Sequence, residues 1–181
     1  MKAKSFLCIC LFFFMVFPAT AVAKDKWLSV SSMSFSADDS AGYPLLYRHV
    51  FGGEAYITLN TTYDRVWAPV HFPDNAKFVT GLQARVYDNL DIINPTGVMD
   101  WAHVGVYLVK FNFETGQMET VMSAGTGFSG APGHIVVSNY YGNNTEINNE
   151  KYSWALMFIV ELQSPSAMDE LRLYGVRISY K

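Results

Sequence analysis

Hydrophobic and polar residues alternate with a period of two over several long stretches of the chain. In the clearest stretch, residues 78–86, apolar or small side chains share one face and mostly polar side chains share the other, with Val79 as the apolar exception. Successive side chains of an extended strand point to opposite sides, so this stretch predicts a strand with one face in a core. The face predicted to be buried consists of Phe78, Thr80, Leu82, Ala84 and Val86.

Three further long stretches, 102–113, 152–163 and 171–180, follow the same period. In the first, Val104, Val106 and Leu108 share one face, while Tyr107 and Phe111 lie on a second face that is also largely apolar. In the last, the pattern places Tyr174, Val176, Ile178 and Tyr180 on one face. No window of 11 residues shows the 3.6-residue period of an amphipathic helix, so we predict an all-β chain.

Eight or nine strands joined by polar loops predict a two-sheet antiparallel sandwich that resembles a jelly roll. Pro69 has no backbone N–H and must lie on a sheet edge or at a bulge. Residues 114–117 predict a hairpin turn in which Gly116 takes a positive φ. A small outer-membrane barrel is an alternative, because it shows the same alternation. Strands that are apolar on both faces argue against it, since the lumen of a barrel is polar.

The first 23 residues have the pattern of a secretory signal peptide. Lys2 and Lys4 are followed by an apolar run at 6–17 and by the small-residue cleavage pattern Ala21-Val22-Ala23. The apolar run is shorter than the roughly 20 residues that span a bilayer. We therefore expect a secreted or periplasmic protein, with residues 24–181 forming a single β-sandwich domain.

The charge of the chain limits the classes of partner that it can bind, and its cysteine content limits what can stabilise the fold. Both cysteines, Cys8 and Cys10, lie in the predicted signal peptide, so the domain must be stabilised by a hydrophobic core. Without Lys2 and Lys4, the 13 basic residues fall to 11 against 16 acidic residues, a net charge of −5 with His neutral. No cluster of Lys or Arg along the sequence points to nucleic acid, and we expect no stable membrane insertion.

Three segments carry a resemblance to a known group of proteins: 68–73 (Ala-Pro-Val-His-Phe-Pro), 86–89 (Val-Tyr-Asp-Asn) and 171–180 (Leu-Arg-Leu-Tyr-Gly-Val-Arg-Ile-Ser-Tyr). Their combination, over about residues 67–181, resembles uncharacterised secreted bacterial β-sandwich proteins. Those share an Ala-Pro-x-x-x-Pro strand, a Tyr-Asp-Asn loop and a terminal Leu-Arg-Leu-Tyr-Gly-Val strand. The chain departs from the pattern at Asn75-Ala76, where Gly-Ala is usual. The resemblance implies a fold and a secreted location, and it implies no reaction.

An acidic segment that contains Asp88, Asn89, Asp91 and Asp100 is a candidate calcium site. Ca²⁺ takes six to eight oxygen ligands, and these side chains supply several of them over a short stretch. The spacing is not that of an EF-hand, because no glycine marks the turn and no Glu closes the loop. Asp and Asn also bond to their own backbone in turns, which is the alternative explanation.

Trp67, Tyr87 and Trp101 are candidate ligand-binding residues. An aromatic ring can stack on the apolar face of a sugar, while nearby polar groups bond to the hydroxyls at the rim of the sugar ring. Aromatic residues are also enriched at protein interfaces, which favours contact with a protein partner or a homo-oligomer as the alternative.

No catalytic arrangement can be read from the sequence. The histidines at 49, 71, 103 and 134 form no closely spaced metal-binding pair, although the fold could bring His71 and His103 together. The segment 127–131 lacks the second glycine of a nucleophile elbow. We therefore predict a secreted, non-catalytic binding or assembly module with a protein or glycan partner, and a carbohydrate-binding accessory domain as the alternative.

Overall fold

The computed structural model describes residues 24–37, 46–51, 54–59, 63–88, 102–126, 133–139, 145–162 and 171–181. These residues form twelve strands in two antiparallel sheets and one short 3₁₀ helix, Ser32–Ser34. The strands are β1 (Lys26–Ser31), β2 (Ser36–Ala37), β3 (Leu46–Phe51), β4 (Glu54–Leu59), β5 (Tyr63–Val70), β6 (Phe78–Asp88), β7 (Ala102–Asn112), β8 (Met118–Gly125), β9 (Gly133–Asn139), β10 (Thr145–Glu146), β11 (Tyr152–Leu162) and β12 (Leu171–Tyr180).

The seven-stranded sheet is built on β6 and β12, which pair with each other. On the far side of β12, β1 and β4 pair with different parts of the strand, and β3 pairs with β4. Two further strands, β9 and β10, pair with different parts of β6 on its far side. The second sheet has five strands in the order β2-β5-β11-β7-β8. Two long strands therefore organise the first sheet, and β11 lies at the centre of the second.

The chain passes back and forth between the two sheets, since β4, β6 and β12 belong to one while β5, β7 and β11 belong to the other. The inner faces of both sheets form one hydrophobic core, in which Phe35 and Phe158 meet edge to face at 6.4 Å. The predicted all-β sandwich is thus confirmed. The described strands lie in two separate sheets that do not close into a barrel, so the barrel alternative is wrong. The predicted count of eight or nine strands is too low, partly because β2 and β10 are too short to leave an alternating pattern.

Two irregularities change which residues of the seven-stranded sheet face the core. On β6, Thr80 is an extra residue between the pairs Val79–Tyr180 and Gly81–Ser179, so Val79 is fully buried and the prediction for Phe78 and Thr80 is wrong. The Thr80 hydroxyl instead donates a hydrogen bond of 2.8 Å to that of Ser179. A bulge of this kind inserts one residue on one strand and breaks the alternation there.

The second irregularity lies on β12, between Leu173 and Gly175. It carries Tyr174 to the outer face, where its ring lies 5.5 Å from that of Tyr56. The prediction that Tyr174 shares the buried face of Val176 and Ile178 is therefore wrong. Leu171 and Leu173 take the inner positions before the bulge.

Several local predictions are confirmed. Gly116 has a φ of +68°, and the Asn112 carboxamide oxygen accepts hydrogen bonds from the N–H groups of Glu114 and Thr115 in the same turn. Pro69 pairs with Ala155 of β11, whereas β2, on the other side of β5, reaches only Val66 and Trp67. Pro69 thus lies where β5 is an edge in the described part of the sheet.

The predicted signal peptide, residues 1–23, lies outside the described residues, so it stays a prediction. Among the residues that the structure describes, no helix is long and apolar enough to cross a membrane.

Candidate functional site

The outer face of the five-stranded sheet carries a second group of packed apolar side chains. On β7 and β11, every other residue enters the core, and the residues between them point to the opposite side. Val109, Met157 and Ile159, on that opposite side, are nevertheless buried, with exposures of 0%, 7% and 9%. Four partly buried residues, Trp67, Tyr107, Phe111 and Ala155, pack against these three. We call all seven together the outer aromatic face: Trp67, Tyr107, Val109, Phe111, Ala155, Met157 and Ile159.

Trp67 and Phe111 form the centre of the outer aromatic face. Their ring centroids lie 6.0 Å apart, with the planes tilted by 53°. Trp67 is opposite Met157, and Phe111 is opposite Ser153, so the two rings come from either side of the row that holds Ala155 and Val109. Because the rings meet across this row, Val109 has no contact with water although it faces away from the core.

Tyr107 is placed by a glycine at the next outward position of the same strand. A Cβ atom built on Gly105 would lie 2.6 Å from a ring carbon of Tyr107, closer than real Cβ contacts. The tyrosine ring therefore lies against the Gly105 backbone, along the strand and away from Phe111.

The apolar surface continues to the β7–β8 hairpin. Phe111 pairs with Met118, which is 48% exposed, and Phe113 follows at 62% exposure. Lys110, on the opposite side of β7, forms a 3.0 Å ion pair with Glu119 and lies 4.8 Å from the Tyr152 ring centroid. This end of the sheet thus exposes aromatic and apolar side chains, with charged residues along the adjacent edge.

Two of the three predicted ligand-binding residues lie in different sheets. Trp67 lies on β5 in the five-stranded sheet, and Tyr87 lies on β6 in the seven-stranded sheet, where it packs against Arg172 at 4.8 Å. The structure therefore does not bring Trp67 and Tyr87 together. Trp101 directly precedes β7 but lies outside the described residues.

The predicted calcium site also stays a prediction. Asp88 is the last residue of β6, and its side chain is outside the described part of the chain, as are Asn89, Asp91 and Asp100. Among the described residues, no three His, Cys, Asp or Glu side chains are grouped so that they could hold a metal ion.

The strand register separates two of the histidines. His71 follows the end of β5, where Val70 pairs with Trp154, whereas His103 pairs with Glu161 near the other end of β11. Seven residues of an extended strand span about 23 Å. The fold therefore does not bring the backbones of His71 and His103 together in a shared zinc site.

Tyr107 and Phe111 were not predicted as site residues, although the sequence contains a signal for them. The stretch 102–113 is apolar on both faces, and a strand with one face in water would not need the second apolar face. That second apolar face marks either a buried strand or a surface for a ligand. The sequence alone does not separate the two, because the separation depends on what packs over the strand.

Comparison with known proteins gives the fold and no family. No protein-family model matches the chain, and no curated protein matches it significantly. The resemblance to secreted bacterial β-sandwich proteins thus stays a prediction.

Among solved structures, the chain is similar to the C-terminal family 6 carbohydrate-binding module of a laminarinase from Zobellia galactanivorans. That match has a TM-score of 0.51 and 11% identity, and it covers 85% of this chain and 99% of the other. A family 36 module of a xylanase from the hindgut metagenome of Trinervitermes trinervoides gives a TM-score of 0.50 at 13% identity, covering 84% and 96%. A family 6 module from Clostridium cellulolyticum, solved with xylose, gives 0.50 at 11% identity, covering 85% and 96%. At these identities the likeness shows a shared β-sandwich fold.

Proposed function

We propose that this protein is an extracytoplasmic carbohydrate-binding module whose outer aromatic face stacks on the rings of a glycan. The observation that carries the proposal is the Trp67–Phe111 pair on an outward sheet face, with exposed Phe113 beyond it. The signal-peptide pattern of residues 1–23 supports the location. The fold shared with carbohydrate-binding modules supports the ligand class.

The geometry suits a sugar chain better than a compact small molecule. The apolar side chains lie along a sheet face and continue to the hairpin. A sugar ring presents an apolar face to an aromatic ring and keeps its hydroxyls in water, so stacking does not leave buried polar groups unpaired. An extended glycan could contact Trp67 and Phe113 at the same time.

The proposal is tested by binding measurements with a panel of soluble glycans. The panel includes xylan and laminarin, since the similar structures come from a xylanase and a laminarinase and one was solved with xylose. Affinity electrophoresis identifies the glycan, and isothermal titration calorimetry then measures its dissociation constant. Both are run with and without calcium, because the acidic segment at 88–100 is a predicted calcium site.

We expect Trp67→Ala to weaken glycan binding by at least about tenfold, because buried aromatic anchors contribute about 2 kcal/mol or more to binding. Trp27→Ala is the matched control: Trp27 is 45% exposed and lies on β1 in the other sheet. It should leave the affinity unchanged. Absence of binding to every glycan, or equal loss in both variants, would contradict the proposal.

An aromatic surface could instead bind a second copy of the chain. Light scattering of the wild-type protein and of Trp67→Ala separates the two interpretations. If the wild type is a dimer that Trp67→Ala converts to a monomer, and no glycan binds, the outer aromatic face is a subunit interface and the carbohydrate proposal fails.

A further inference from the structure

A groove of about 540 Å³ crosses the outer face of the seven-stranded sheet, on the opposite side of the sandwich from the outer aromatic face. It runs over β1, β12 and β6, and the side chains of Val136 and Tyr174 form parts of its wall. Its floor is low at Gly175, where a Cβ atom would lie 3.2 Å from the carbonyl oxygen of Val30. A volume of this size is in the range of ligand-binding clefts.

Two arginines give the groove its charge. Arg85 on β6 is opposite Gly175, and Arg177 on β12 is opposite Gln83, which makes the two arginines diagonal neighbours on adjacent strands. Residues in that relation are about 7–8 Å apart, with their Cβ atoms somewhat closer, so the two arginines are close neighbours on the outer face. Both side chains are exposed, so both guanidinium groups can be reached from solvent.

No described residue that lines the groove is an Asp or a Glu. The remaining polar lining consists of Ser29, Ser31 and Gln83, which are neutral donors and acceptors. The whole chain has 16 acidic and 13 basic residues, whereas the described lining of the groove has two arginines and no carboxylate, so its local charge is opposite to that of the whole protein. Such a site favours an anionic ligand.

The Arg85 guanidinium is held by an aromatic neighbour. It lies 5.0 Å from the centroid of the Tyr174 ring, which the bulge in β12 has brought to the outer face. A guanidinium that stacks on a ring loses less freedom when it binds a planar anion, and its fork of N–H groups bonds to a carboxylate in two places. The groove therefore combines a fixed guanidinium, a second guanidinium and an aromatic wall.

From these observations we propose that this groove, which we call the arginine groove, is a second binding site, for an acidic polysaccharide that carries carboxylate or sulfate groups. Anionic groups on the sugar chain would pair with Arg85 and Arg177, while a sugar ring would contact Tyr174. The proposal is independent of the outer aromatic face. A chain with both sites would bind a neutral glycan on one sheet and an acidic glycan on the other.

The test measures the binding of the full mature chain to polygalacturonate, to its methyl ester, to dextran sulfate and to dextran. We expect the chain to bind at least one of the two acidic polymers more tightly than its neutral counterpart, and to bind it more weakly as NaCl is raised. The two acidic polymers show whether carboxylate or sulfate is preferred. Binding to neither, or equal binding to an acidic polymer and its neutral form, would overturn the proposal.

Arg85→Ala combined with Arg177→Ala should weaken binding to the acidic polymer by more than about tenfold, the loss expected for two charge-assisted contacts. Arg65→Ala is the matched control, since Arg65 lies on β5 in the other sheet. Equal loss in the control and the double variant would contradict the arginine groove as the site. A thermal melt confirms that each variant is folded, and if the double variant is not, Arg85→Gln with Arg177→Gln replaces it.

Two further controls separate this site from the alternatives. Polyglutamate supplies carboxylates without a sugar, so binding to it as tightly as to polygalacturonate would show a response to charge alone and overturn the proposal. Trp67→Ala should keep its affinity for the acidic polymer. If Trp67→Ala loses the acidic polymer and the arginine variant does not, the outer aromatic face binds it and the second site does not exist.

Discussion

The outer faces of the two sheets are organised by different interactions. On the five-stranded sheet, the outward side chains pack on each other so closely that Val109 is fully buried. On the seven-stranded sheet, they are arginines stacked on tyrosines: Arg172 lies 4.6 Å from the Tyr56 ring centroid, and Arg85 lies 5.0 Å from that of Tyr174. On the first face, partly exposed apolar side chains cover three buried ones, and on the second, the arginines Arg85 and Arg177 are exposed to water.

This difference shows what the alternation of a strand does and does not determine. A period of two decides which residues point away from the core, and it leaves open what those residues contact. In the functions proposed above, the outer aromatic face contacts a ligand with apolar faces, whereas the arginine groove binds an anion. The same sandwich therefore offers two chemically distinct surfaces.

The largest expected effect is the difference in stability between two variants, each of which places a carboxylate on one of the two outer faces. Val109→Asp should lower the free energy of unfolding by about 4 kcal/mol, because the new carboxylate would be buried without a partner. Ser138→Asp, at an exposed position of β9 next to Gln83, should change it by no more than about 0.5 kcal/mol. Urea denaturation measures both. Similar losses in the two variants would mean that the two outer faces are equally buried.

A smaller effect is expected from adding a methyl group under Tyr107. Gly105→Ala should cost about 1–3 kcal/mol, since the new Cβ would lie 2.6 Å from the tyrosine ring and force it off the strand. Gly175→Ala is the counterpart in the other sheet, where the nearest atom is the backbone carbonyl oxygen of Val30 at 3.2 Å, which cannot rotate away as a side chain can.

A double-mutant cycle tests whether the loss of stability in Gly105→Ala comes from contact with the Tyr107 ring. If the ring is what the new Cβ meets, Tyr107→Ala should cost less in the Gly105→Ala background than in the wild type. Additive costs would show that the ring does not lie against Gly105.

The smallest effect concerns the polar pair at the bulge of the seven-stranded sheet. Thr80→Val should cost about 1 kcal/mol, because it removes the 2.8 Å hydrogen bond to the buried Ser179 hydroxyl. Thr120→Val makes the same chemical change at an exposed position of β8 and should be close to neutral. Thermal or urea unfolding compares them, and an equal cost in the two would show that the Thr80–Ser179 bond contributes nothing.

The regular strands could be predicted from the sequence. The long alternating runs that became β6, β7, β11 and β12 gave the fold class, and the turn at Gly116 followed from its residues. The bulges at Thr80 and Tyr174 could not be predicted, because an inserted residue becomes visible only when the partner strand is known. Each bulge reverses the faces on one side of it, which is why Val79 and Tyr174 were misplaced.

The two candidate sites were less predictable for a related reason. Trp67 was identified by its residue type, but pairing it with Tyr87 required knowing which sheet each strand joins, and that depends on contacts between distant segments. Arg85 and Arg177 are far apart in the sequence and become neighbours only through the pairing of β6 with β12. The register of long-range strand pairs is thus what local patterns do not contain.

Glycan binding by the outer aromatic face of the five-stranded sheet is the property on which the proposed function depends. The most direct test is an NMR titration of the isotope-labelled protein with the oligosaccharide that the glycan panel selects. We expect saturable chemical-shift changes at the Trp67 indole and at Tyr107 and Phe111, with signals of Trp27 and Tyr56 unchanged. Changes confined to the seven-stranded sheet, or no saturable change with any neutral oligosaccharide, would contradict the claim.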